Sequence, residues 1–297
     1  MDWYIRRNRQ PLAFTVLELL IVTAVISALI GLLLPALMYA RESARRIQCM
    51  GNLREIGLAV QQFHDGSQKL PEAWTVAPDK ISGYGWAVPL LPFLEESNLD
   101  NRVNQALPIS DVQNDIPRNR DLPIMRCPSD ISDPMFDLFV EHPGHIGAQS
   151  HNGPVSLSNA PVSLIRLPAA NYLGVFGTVE ADESFPAPAG DGTIVASRAV
   201  RFADLERGQS HTLIVGERTA AVAPSTWFGV DFRGEDAACR LVGSAITAPN
   251  CGSCDECEFG SRHAGGANFA WADGHVALLP DDIDTHEYQL LAKRRTH

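Results

Sequence analysis

Two hydropathy patterns follow one another at the start of the chain. From Val16 to Leu34 nearly every residue is apolar, and Glu18 is the only ionisable group. At about 1.5 Å rise per residue, a helix of that length crosses the roughly 30 Å hydrocarbon layer of a bilayer. The first predicted element is therefore a membrane-spanning helix. The core of a cleaved secretory signal is shorter, roughly 7 to 15 residues, and is followed by a small-residue cleavage site. Past Pro35 the apolar positions thin to Ala44, Ile47, Met50, Leu53, Ile56, Val60 and Phe63, with Arg, Glu and Gln between them. Spacings of three and four predict an amphipathic helix that continues the first. Pro35 removes one intrahelical hydrogen bond and bends such a helix without ending it. A helix from Phe14 to about Phe63 would be about 75 Å long. Gly51 and Gly57 weaken its second half, so packing must hold that half in place. The Asp-Gly and Pro of "HDGSQKLPEAW" predict an end near His64.

Beyond His64 the periodicity shortens. "GYGWAVPLLPFLEESNLDNRVN" predicts a short helix after Pro92, and "CPSD", Cys127 to Asp130, predicts a turn. Two strand-like pieces flank the acidic, proline-rich excursion in "NYLGVFGTVEADESFPAPAGDGTIV", and "SHTLIVGER", Ser210 to Arg218, reads as a buried strand. In "GGANFAWADGHVALLP" a two-residue Asp273-Gly274 turn would set Trp271 opposite Val276 and Phe269 opposite Leu278. That register puts these four on one face and Asn268, Ala270, Ala272 and His275 on the other. "DDIDTHEYQLLAKRRTH" runs from acidic to basic, the charge order of a short terminal helix or a loose basic tail.

Charge and chemistry narrow the function. The chain of 297 residues carries a formal charge of -11, yet "MDWYIRRNRQ" and "ARESARRIQCM" are locally basic, so the acidity belongs mostly to the remainder. That argues against a nucleic-acid partner. The six cysteines are Cys49, Cys127, Cys239, Cys251, Cys254 and Cys257. Cys251, Cys254 and Cys257 are two residues apart, and Cys239 or His263 would complete a tetrahedral zinc set. Disulfides are the favoured reading for an exported head, with structural zinc and a redox-active pair as alternatives. Cys49 and Cys127 would make a useful tie between the long helix and the head. His142, His145 and His151 fall in a glycine- and proline-rich surface loop. His263, Asp273 and His275 resemble a hydrolytic or metal constellation, but a turn role explains Asp273 and an exposed face explains His275. No Gly-x-Ser-x-Gly, phosphate-binding glycine loop or His-Glu-x-x-His motif is present. No catalytic residue and no cofactor is assigned.

"FTVLE", Phe14 to Glu18, preceded by a basic leader and followed by the apolar helix, resembles the type IV prepilin and pseudopilin family. Pro35 matches a proline often found in that family's helix. The resemblance implies that a prepilin peptidase cuts between Ala13 and Phe14 and methylates the new amino terminus; Ala13 stands where the family usually has glycine. It also implies that Glu18 pairs with the amino terminus of a neighbouring subunit, which explains a carboxylate in an apolar run. The rest of the chain resembles the DUF1559 family of prepilin-like proteins abundant in planctomycete bacteria. The matching pieces are "RRIQCMGNLREIGLAVQQFHD", "GYGWAVPLLPFLEESNL", "CPSD", "NYLG", "HTLIVGER" and a closing His-x9-Asp-Gly element, His263 with Asp273-Gly274. Relatives commonly have Asp-Gly-x-Ser-Asn where this chain has "LERGQS".

The expected fold is α+β, with a pilin-like long N-terminal helix packed on an antiparallel-sheet head. The expected organisation is a leader over 1–13, a transmembrane segment over 14–36, an exported helix over 37–64 and a head over 65–297 with a hairpin near 267–279. The expected role is a non-enzymatic pilin-like or pseudopilin-like subunit, handled by a type II secretion or type IV pilus-like system. Its partners would be the prepilin peptidase, related subunits and the bacterial inner membrane, with the N-terminus cytoplasmic and the head periplasmic or surface-exposed. The alternative is a monomeric membrane-tethered module binding a glycan or another envelope component.

Overall fold

The computed structural model describes residues 16–141, 162–182, 187–196, 198–252 and 255–296. The cleavage residues Ala13 and Phe14, the three loop histidines and Cys254 lie outside them. The chain forms two compact units, Met1–Ala44 and Arg45–His297.

The described part of the first unit is helical and belongs to α1, Val16–Ser67, which passes through Pro35. Its apolar side chains from Val16 to Tyr39 are exposed all round. The C-terminal part of α1 belongs to the second unit and buries one stripe: Cys49, Leu53, Ile56, Gly57, Ala59 and Val60. The helix runs three residues past His64, because Asp65 and Gly66 fit inside its last turn. It closes with Gln68 in the left-handed region at φ 58°, whose N–H donates to His64 O at 2.7 Å.

Eleven strands follow among the described residues: β1 Trp74–Val76, β2 Ser82–Gly85, β3 Met135–Phe139, β4 Ser163–Ala170, β5 Tyr172–Gly177, β6 Leu213–Glu217, β7 Ser225–Thr226, β8 Gly229–Asp231, β9 Val242–Ser244, β10 Gly266–Trp271 and β11 Val276–Pro280. The helices among and after them are α2 Ser97–Asp100, α3 Asp115–Arg118 and α4 Thr285–Ala292. The main sheet has the order β11-β10-β6-β5-β9. Its pairs are antiparallel except β5 with β9, which is parallel. Two three-stranded sheets, β1-β2-β8 and β3-β4-β7, stand beside it. The expected α+β fold, a long helix with a sheet-containing head, is thus observed. The strand expected in "SHTLIVGER" is β6, buried at the centre of the main sheet. The piece around Ile194 joins no ladder; instead the Thr193 and Ile194 N–H groups donate to Val175 O at the edge of β5.

Both faces of the main sheet are covered. Leu53, Ile56 and Val60 of α1 share one apolar cluster with Val215, Ala270 and Ala272. Tyr288 and Ala292 of α4 share the other with Leu173, Leu213, Phe269 and Trp271. The terminal helix is capped by Asp284, which accepts from Glu287 N at 3.0 Å. The basic end is not loose at Arg294, which is buried and donates to the carbonyls of Gly190 and Gly192.

The C-terminal hairpin forms with a register one residue away from the expected one. Ala270 pairs with Val276, Phe269 with Ala277 and Asn268 with Leu278. Trp271 N donates to His275 O at 3.0 Å and Gly274 N to Trp271 O at 2.9 Å, so the loop holds three residues, Ala272 to Gly274. Gly274 at φ 88° supplies the left-handed residue that a three-residue loop requires. A one-residue slip changes every cross-strand pair. His275 accordingly lies beside Trp271, with ring centroids 4.4 Å apart and stacked, rather than on the opposite face. Val276 now turns with Ala270 and Ala272 toward the α1 side.

Gly57 sits where α1 meets this hairpin. A Cβ there would lie 3.8 Å from Ala270 Cβ and 3.9 Å from Gly274 Cα, ordinary contact distances. Gly57→Ala should therefore stabilise the fold by about 0.5 to 1 kcal/mol through helix propensity. Gly57→Leu, forced against the same atoms, should cost about 1 to 3 kcal/mol. Denaturant midpoints of the full chain in detergent measure both signs.

Candidate functional site

The motif pieces scattered along the sequence meet beneath α1. Cys49 of α1 is bonded to Cys127 of the "CPSD" turn, with Cα atoms 5.4 Å apart at a sequence separation of 78. Closing a loop that long stabilises by about 4 to 5 kcal/mol in the chain-entropy account. One turn further along α1, Asn52 Nδ2 donates to Arg126 O at 3.0 Å and to the Tyr172 hydroxyl at 3.4 Å. Burial, with the Glu217 carboxylate nearby, pushes the Tyr172 phenol far above its ordinary value despite that bond.

The turn is built around Asp130. Its Oδ1 accepts from Thr219 Oγ1 and Arg262 Nε, both at 2.9 Å, and its Oδ2 accepts from Ala220 N at 2.7 Å and from Asn171 Nδ2. Asn171, of the "NYLG" piece, also accepts from Cys127 N at 2.9 Å and donates to Arg218 O at 3.0 Å. "CPSD", "NYLG" and "HTLIVGER" are thus one hydrogen-bonded unit. A buried carboxylate is stable there because its oxygens have donors.

His263 enters the same place. Its Nε2 lies 3.3 Å from Glu217 Oε1 and 3.4 Å from Cys127 Sγ. The Glu217 Oε2 accepts from Asn268 N at 3.2 Å and Asn268 Nδ2 at 2.9 Å, while Oε1 makes no hydrogen bond. All three side chains are buried. Asp273 and Gly274, the other end of the His-x9-Asp-Gly element, are in the hairpin loop instead. There Asp273 Oδ1 accepts from His275 N at 3.1 Å and pairs with His275 Nδ1 at 2.6 Å. His263 therefore does not join Asp273 and His275, and the element works as two fixed points at opposite ends of β10.

The set weighed as the zinc alternative is also divided. Cys239 and Cys257 are bonded to each other, Cα atoms 4.8 Å apart, and His263 belongs to the Cys127 end of the molecule. The two bridges agree with the disulfide reading. Next to the second bridge, Arg218 donates to Ser225 Oγ, Glu256 O and Cys239 O. Burial, with Arg240 close by, pulls its guanidinium below the ordinary value. A cleft opens beside it, lined by Trp74, Phe232, Glu141, Asp182, Asp236 and Ala238. Asp236 pairs with Arg240 at 3.1 Å, yet burial, with Glu256 and Asp182 adding to it, pushes its carboxyl up to about 7. A separate groove of about 640 Å³ runs between α1 and the hairpin loop, lined by Ile47, Met50, Arg54, Leu58, His275 and Val276 among others.

Glu18 is exposed in the first unit and Pro35 lies within α1. The residues that sequence reasoning passed over are Asp130, Asn171, Glu217, Arg218 and Asn268. Their signal was present, since polar residues inside apolar motif pieces must find partners, but the partners lie far apart along the chain. A family model described as a protein of unknown function (DUF1559) matches residues 38–286, and the chain belongs to that family. The match begins inside α1 and ends inside α4, so it takes in every described strand. No curated protein and no solved structure matches the chain.

Asp236 makes stability depend on pH. Its folded-state value of about 7 exceeds the unfolded value of about 3.9, so the folded chain binds the extra proton. Its contribution is complete below about pH 4 and is lost as the pH rises through about 7. Asp236→Asn should shrink the drop in denaturation midpoint between pH 5 and pH 8; an identical drop in the variant would contradict this assignment.

Proposed function

We propose that this member of the DUF1559 family is a membrane-anchored structural subunit of pilin-like or pseudopilin-like type, and that it is not an enzyme. The observation that carries the proposal is the exposed apolar helix. The described residues contain one helix long and apolar enough to cross a membrane, and none of its most apolar stretch is buried. Leu and Ile exposed all round a helix need lipid or neighbouring helices to cover them. The later part of the same helix is a structural member of the head, covalently fastened through Cys49. An anchor that continues into the spine of the head suits a subunit whose membrane segment also makes the contacts of assembly.

In this reading Glu18 remains charged because the amino terminus of a neighbouring subunit, freed by cleavage before Phe14, pairs with it. The head faces the periplasm or the cell surface. A structural role is also supported by the buried polar groups, since Asp130, Asn171, Glu217 and Asn268 are engaged with one another and with motif backbone.

Glu18→Gln keeps the length and apolar character of the segment and removes the charge. The variant should insert in the inner membrane at the wild-type level. Crosslinked multimers in native membranes should fall at least several-fold, because removing one partner of an ion pair in a low-dielectric setting leaves the other charge uncompensated. Equal crosslinking in both proteins would remove the pairing role of Glu18.

A further inference from the structure

The Cys49–Cys127 bridge lies against two further side chains with metal-ligand chemistry. Cys49 Sγ, Cys127 Sγ, a Glu217 carboxylate oxygen and a His263 ring nitrogen all lie within 4.8 Å of one another, and all four residues are buried. A tetrahedral zinc ion with its usual bonds to sulfur, nitrogen and oxygen holds its ligand atoms about 3.5 Å apart. His263 Nε2 already stands at that spacing from Glu217 Oε1, 3.3 Å, and from Cys127 Sγ, 3.4 Å. The surroundings orient the ligands. Asn268 holds Glu217 Oε2 through two donors and leaves Oε1, buried and without a hydrogen bond, directed at His263. Asn171 Oδ1 fixes the Cys127 backbone. Such outer contacts set ligand geometry in metal sites. The other group of this kind among the described residues, Asp182 with Cys239 and Cys257, offers three ligands and no histidine.

We propose that Cys49, Cys127, Glu217 and His263 form a zinc site in the reduced chain, and that the Cys49–Cys127 disulfide is the alternative, metal-free state of the same site. A dithiol reductant supplies two electrons and two protons, breaks the S–S bond to give two thiols and becomes a disulfide itself. The two sulfurs then separate, and zinc binding releases both thiol protons as the thiolates coordinate. A disulfide oxidant reverses the sequence by exchange: it takes two electrons from the thiolates and two protons from water, leaves as a dithiol, and the rejoined Cys49–Cys127 bond expels the ion. One position thus fastens α1 to the head in either redox state, by a covalent bond or by coordination. The proposal does not depend on pilin-like assembly.

The test uses the full chain in detergent with Cys251→Ser and Cys254→Ser, reduced with a phosphine, desalted without oxygen and titrated with Co2+. One equivalent should produce the visible bands of tetrahedral cobalt and a thiolate-to-cobalt charge-transfer band, and Zn2+ should remove both. The chain reoxidised before titration should give neither. Glu217→Gln and His263→Ala should each weaken cobalt binding at least tenfold, and Cys49→Ser with Cys127→Ser should abolish the charge-transfer band. Near-ultraviolet circular dichroism follows folding in every sample. The proposal is overturned if the reduced parent chain gives no tetrahedral spectrum, whether it stays folded or unfolds and is not restored by the metal. Bands that persist without Cys49 and Cys127 would overturn it equally, by placing the metal at Cys239 and Cys257.

Discussion

The attachment of α1 to the sheet is the constraint on which the rest of the molecule depends. The helix contributes Leu53, Ile56 and Val60 to the main core, and its glycine at 57 lets the hairpin approach. A stripe that narrow, on a helix weakened by Gly51 and Gly57, gives modest intrinsic stability. The Cys49–Cys127 bond and the Asn52 contacts add a tie that packing alone would not provide. They bind the helix to a turn that is itself locked to two strands of the main sheet through Asn171 and Asp130. The same few residues therefore fix the helix, the turn and the sheet in one arrangement.

This arrangement accounts for polar chemistry at the centre of an apolar core. Asp130, Glu217, Arg218 and His263 are costly to bury, and each is matched by donors, acceptors or an opposite charge from a different segment. A misplaced segment would leave one of them unmatched, so the cluster rewards a single assembly of distant motifs. The cost is repaid as specificity.

Much of the architecture was legible in the sequence because it is local. The change from continuous to three-and-four spacing marked both parts of α1, and the run Leu213 to Glu217 marked the central strand. The hairpin shows the limit. Asp273-Gly274 identified the turn, but whether the loop holds two residues or three depends on Ala272 and on hydrogen bonds that sequence does not specify, and that single residue moved His275 onto Trp271. His263 shows the second limit. Its spacing to the cysteine-rich segment suggested one set of partners, whereas the fold delivers it to Cys127, 136 residues away, and to Glu217. Chain distance carries no information about such a meeting. The zinc alternative drawn from local cysteine spacing was divided for the same reason.

The central claim is that α1 begins as a processed membrane and assembly segment and ends as the spine of the head. Mass spectrometry of the N-terminal peptide from the native membrane-bound protein tests it most directly. The account predicts a mature chain that begins with N-methylated Phe14. An intact Met1 terminus would contradict processing by the pilin pathway, and a terminus beyond the apolar run would contradict the membrane anchor itself.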